Sequence, residues 1–78
     1  MLMRSYMSLD SSSVEYTLQL EKFNQRYLRI PALTVFYMTL EVKHADRLVK
    51  RVVKQFTSYK KALDEVDRLC EAYDMFEV

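Results

Sequence analysis

LTVFYMTLEVKHADRLVKRVVKQF, residues 33–56, decides how this chain folds. Its first half, Leu33 to Lys43, is crowded with β-branched and aromatic side chains, which lose rotamer freedom in a helix and pack well on a pleated surface. That half reads as a strand. His44, Ala45 and Asp46 form a short polar connection, and Leu48 to Phe56 returns as the second arm of a hairpin. The connection lacks the Asn-Gly pair of a tight turn, which leaves the pairing register open. Alternation sends Thr34, Phe36, Met38, Leu40 and Val42 to one side and Leu33, Val35, Tyr37 and Thr39 to the other. On the return arm Leu48, Val52 and Phe56 share one side, and Val49 and Val53 share the opposite one.

Past Phe56 the period changes. Tyr59, Ala62, Leu63, Val66, Leu69, Cys70 and Tyr73 recur at helical spacing and leave Lys60, Lys61, Asp64, Glu65, Asp67, Arg68 and Glu71 on the far side. Ser58 is the natural N-cap, a contribution of typically about 1 kcal/mol. The helix charges oppose its dipole, with Lys60 and Lys61 at the start and Asp74 and Glu77 at the end. A rival reading joins Val49, Val52, Phe56, Tyr59, Leu63, Val66, Cys70 and Tyr73 into one long helix starting near Asp46. Thr57-Ser58 is a start signal inside that pattern and favours strand followed by helix.

Toward the N-terminus two readings stand side by side. Val14, Tyr16, Leu18 and Leu20 alternate with Glu15, Thr17 and Gln19 as in a half-buried strand. Tyr16, Leu20, Phe23, Tyr27 and Ile30 also fit a helical stripe ending before Pro31, and Ser12 with Glu15 has capping-box spacing. Met1, Met3 and Met7 leave the translation start open, and residues 1–13, which include Ser11 to Ser13, read as a flexible leader. The expectation is one α+β domain over residues 14–78: a small antiparallel β-sheet of two or three strands packed on a C-terminal α-helix. The alternative is an all-α helical bundle with a long C-terminal helix.

Composition narrows the function classes. Seventy-eight residues, half of them apolar and 29% charged, make one small domain. A chain of this size buries only about 60% of the surface its unfolded form exposes, so further apolar contact is valuable to it. Twelve Lys and Arg against eleven Asp and Glu give a net charge of +1, which excludes a polybasic tail or an acidic nucleic-acid mimic. The absence of glycine removes the phosphate-cradling loops, where backbone must approach phosphate without a Cβ. Cys70 is the sole cysteine, so no internal disulfide forms, and a reducing compartment fits. No segment has the form of a signal peptide or a membrane span, and the expected location is cytoplasmic.

Both faces of the expected sheet are apolar, and one helix covers only one of them. Val35, Tyr37, Val49 and Val53, with Leu33 beside them, are the candidate partner-binding patch, for a protein partner or a second copy in a homodimer. Residues 43–61 hold seven bases and one acid, for +6, whereas residues 62–78 carry −5. Lys43, Arg47, Lys50, Arg51, Lys54 and Lys60 form a candidate basic rim, or the contact strip of a nucleic-acid-binding protein. The plainer account of these bases is protection of a sheet edge together with ion pairs to the helix acids.

No catalytic group stands out. His44 lies in a turn, and Cys70 sits on the apolar stripe, where a thiol behaves as a small hydrophobe with a raised pKa. Asp64, Asp67, Glu71 and Asp74 lie on a solvated helix face. The expectation is a non-enzymatic chain with no cofactor and no metal.

At QFTSYKKALDEVDRL, residues 55–69, the chain resembles the strand, serine cap and helix seam of many tiny sheet-plus-helix modules. Small bacteriophage inhibitors, including anti-CRISPR proteins and phage antitoxins, often have this organisation. The resemblance covers the last third of the chain and carries over no functional residue. It implies a stoichiometric inhibitor or regulator of a larger host complex, one that handles nucleic acid for instance, acting in the host cytoplasm.

Overall fold

A computed structural model describes the backbone of residues 1–8, 13–27 and 30–78, and the side chains of residues 1–8, 13–24 and 34–78. Along the chain run β1 (Leu2–Ser8), β2 (Val14–Tyr27), β3 (Ile30–His44), β4 (Arg47–Phe56), α1 (Tyr59–Tyr73) and β5 (Met75–Glu77). The α+β class holds. The sheet is larger than the expected two or three strands: five antiparallel strands lie in the order β4-β3-β2-β1-β5. Four form a meander, after which α1 crosses one face and delivers β5 to the far side of β1.

The β3–β4 connection is a two-residue turn in which Ala45 (φ 50°) and Asp46 (φ 64°) both take positive φ, the signature of a type I′ hairpin. Its backbone twist matches that of the strands, which fixes the register at His44 opposite Arg47 without glycine. Ala45 bears a left-handed cost of roughly 1–2 kcal/mol. Three positions later the ladder slips, since Val42 faces Lys50 while Lys43 faces Leu48. This bulge at Val49 places Leu48 on the side of Lys43, so Leu48 does not share the Val52 and Phe56 side as its spacing predicted.

Residues 14–27 are strand, not helix, and the all-α alternative falls with them. Pairing of β2 with β3 from Val14–His44 to Tyr27–Ile30 puts Tyr16, Leu18 and Leu20 on the face where Phe36, Met38 and Leu40 point. A helical stripe could not have met that strand. Ser12 of the proposed capping box lies outside the described residues. The leader is corrected as well: residues 2–8 form β1, held between β2 and β5, because Tyr6 supplies the core with a side chain only 8% exposed. Residues 9–12 of that stretch are outside the described set.

α1 starts where the sequence placed it. Ser58 Oγ accepts the Lys61 amide at 3.4 Å, and Asp74 in the left-handed region (φ 52°, ψ 52°) ends the helix with its N–H donated to the Cys70 carbonyl. Ala62, Val66 and Leu69, three or four apart, meet Leu18, Leu20, Phe36, Met38 and Leu40 in one core closed by Tyr6 and Met75. Rings clamp both helix ends, with Tyr59 against Phe36 at 5.3 Å and Tyr73 stacked on Tyr16 at 4.6 Å.

Lengths decide what this helix leaves open. Fifteen residues of β3 at about 3.3 Å each span roughly 50 Å, the long dimension of the molecule, 50 Å. Fifteen residues of α1 at about 1.5 Å each span only about 22 Å. One whole face of the sheet and part of the other therefore lie beyond its reach.

Candidate functional site

The face away from α1 is assembled by register. Across β2, β3 and β4 its rows read Gln19, Thr39, Val53, then Thr17, Glu41, Arg51, and Glu21, Tyr37, Gln55, while Phe23 faces Val35. Phe23 and Tyr37 meet edge to face, ring centres 5.4 Å apart and planes at 77°. Between these rings and Val53 lies an open groove of about 470 Å³, lined also by Glu21, Asn24 and Thr39.

Of the expected patch, Tyr37, Val49 and Val53 share this face. Val49 is 61% exposed, Val53 55%, and Leu48, brought over by the bulge, 47%. Tyr37 is half-buried and engaged in further contacts. Val35 points to the same face opposite Phe23 but has no exposed surface, so it touches nothing outside the chain. Leu33's side chain lies outside the described residues. Phe23, 42% exposed, belongs to the surface and was missed, although Glu21 and Phe23 continue the outward series of Thr17 and Gln19. The competing helical stripe through Phe23 hid that signal.

The basic residues do not converge. β4 is an outermost strand, and its alternation splits the strip. Lys50 opposite Val42 and Lys54 opposite Met38 are on the helix side, whereas Arg51 opposite Glu41 is on the open side. Arg51 Nη2 pairs with Glu41 Oε1 at 3.2 Å, and Lys54 Nζ with Glu65 Oε1 at 3.0 Å. Lys43 and Arg47 stand at the turn end of the hairpin, and Lys60 lies in the first turn of α1. Among the described residues Lys43, Arg47, Lys50 and Lys60 have no carboxylate within ion-pair distance.

Glu65 joins the helix to the edge strand. Its carboxylate accepts hydrogen bonds from Arg68, the larger influence, and from Lys54, which hold its pKa down to about 2 from the ordinary 4.5. A carboxylate depressed on folding stabilises the fold above its unfolded pKa and loses that contribution as pH falls toward the folded one. Urea midpoints will therefore fall from about pH 4.5 to about pH 2 with a component that Glu65→Gln removes. An unchanged acid limb in that variant would show that the pair contributes nothing.

His44 Nε2 lies 3.3 Å from Ser13 Oγ at the exposed turn. Burial is the first cause pushing the Cys70 thiol up, in line with its place beside the core. Among the described residues no three His, Cys, Asp or Glu side chains gather as metal ligands, and no helix is long and apolar enough to cross a membrane. Comparison of the chain with family models, curated proteins and solved structures finds no match.

Proposed function

We propose that this chain is a non-enzymatic protein-binding module that occupies a surface of a larger protein partner and so acts as a stoichiometric inhibitor or regulator. One observation carries the reading: α1 covers a single face of the sheet, and the other presents Phe23, Tyr37 and Val53 along an open groove, with Leu48 and Val49 exposed farther along β4 toward the turn. Clustered aliphatic and aromatic side chains of this kind mark protein interfaces, whereas singly scattered ones do not. A phosphate backbone calls for bases converging on one surface, and here Arg51 and Lys54 point to opposite sides, each beside a carboxylate. Protein is therefore the preferred partner class over nucleic acid.

The test is parallel capture from the native cell by the unaltered chain and by a Tyr37→Ala, Val49→Asp variant, with the helical circular-dichroism signal as the folding control. A protein retained in stoichiometric amount by the first and reduced at least tenfold with the second, both folded, is the expected result. Equal retention by both, or recovery of nucleic acid released by moderate salt, would overturn it.

A further inference from the structure

We propose that the outer edge of β4 is a strand-addition site taking an extended acidic segment of the partner, an assignment that rests on the protein-binding reading. β4 is ten residues long, eight of them exposed, and no described strand pairs with its outer side. A free edge of this kind presents a row of unpaired amides and carbonyls, the template used in strand addition.

The side chains select the occupant. Arg47, Lys50, Arg51 and Lys54 give the strand four bases and no acid. A second copy of β4 would set bases against bases, and like charges directly opposite destabilise a strand pair. Self-pairing is thereby disfavoured. Charge and the bulge are the devices that protect natural edges, yet they leave Leu48, Val49 and Val53 unexplained, three aliphatic side chains each about half exposed on the open side. An incoming strand that alternates acidic and apolar residues satisfies both sides of β4. Its carboxylates meet Lys50 and Lys54 on the helix side, and its apolar residues cover Val49 and Val53 on the other. Arg51 and Lys54 already have Glu41 and Glu65, so Arg47 and Lys50, at the turn end, provide the uncompensated charge.

The probe is a capped synthetic peptide, Glu-Val-Glu-Val-Glu-Val-Glu, added to the intact protein and followed by amide hydrogen exchange. Exchange of β4 amides should slow at least tenfold at saturation. Two forms of the peptide, N-methylated at alternate residues in opposite phase, should separate into one that binds and one that does not, because every second amide faces the neighbouring strand. Arg47→Glu with Lys50→Glu should weaken the acidic peptide at least tenfold and let the same peptide with Lys for Glu bind instead. No binding, equal binding of the two methylated forms, or protection confined to residues around Phe23 and Tyr37 would overturn the edge assignment. A partner still lost from the Tyr37→Ala, Val49→Asp chain would then leave the protein-binding reading standing. Recovery of nucleic acid in place of a protein, with β4 protected by the peptide, would instead remove the protein-binding reading and leave β4 as an edge that pairs with acidic strands.

Discussion

Leu18→Ala will lower the unfolding free energy by roughly 3–5 kcal/mol, the cost of a Leu truncation at a site that cannot collapse. Leu18 has no exposed surface and sits mid-sheet, with Tyr6 on one neighbouring strand and Leu40 on the other. Both are fixed by ladder pairing, so neither can move in to fill the space. A domain of this size holds only about 4–12 kcal/mol in total. The midpoint of thermal unfolding should fall by roughly 15–30 °C. The adjacent Gln19 points to the open face and is exposed, and Gln19→Ala should cost less than about 0.5 kcal/mol. Equal losses in the two variants would mean that β2 does not alternate as described.

Removal of residues 75–78 will have the second large effect, acting on stability and on association together. Met75 is a core side chain, and β5 pairs Met75, Phe76 and Glu77 with Ser8, Met7 and Tyr6, while the Val78 amide donates to the Ser5 carbonyl at 2.8 Å. Loss of the buried methionine alone costs roughly 2–5 kcal/mol. The Arg4–Glu77 pair, at 3.8 Å with both side chains exposed, adds little. The truncation also uncovers the outer edge of β1, whose seven residues hold Arg4 as their one charge. Unlike the basic β4, that edge has nothing to repel its own copy. Sedimentation should show concentration-dependent self-association of the truncated chain. Met75→Ala should be destabilised to a similar degree and stay as the full chain is, because its backbone still caps β1. A truncated chain that sediments like the full one would show that β5 does not guard the edge.

Legibility along the sequence followed local constraint. Helix α1 was readable to the residue at its start because Ser58, the change of period at Thr57 and the seven apolar positions after it all speak of the same element. The Leu33 strand was readable because its composition excludes helix. Residues 14–27 were not, since both periods fit them, and only Leu40, Met38 and Phe36 on β3 decide between the two. β1 and β5 were invisible for a related reason. Met3, Arg4, Ser5, Tyr6 and Met7 carry no strong propensity, and a three-residue β5 has no periodicity to read; their neighbours make them strands. At the candidate surface Tyr37, Val49 and Val53 were found from alternation, whereas Phe23 needed the register of β2, and the burial of Val35 needed the whole fold.

Alternation and helical spacing, being properties of neighbouring residues, determined from the sequence alone that a hairpin precedes an amphipathic helix and that one helix cannot shelter both sides. Strand order and the closure of β1 by β5 are contacts between residues far apart in the chain, and the bulge that turns Leu48 outward is set by pairing across the hairpin and not by alternation along β4. Their energies depend on which surfaces meet, so only the tertiary structure decided them.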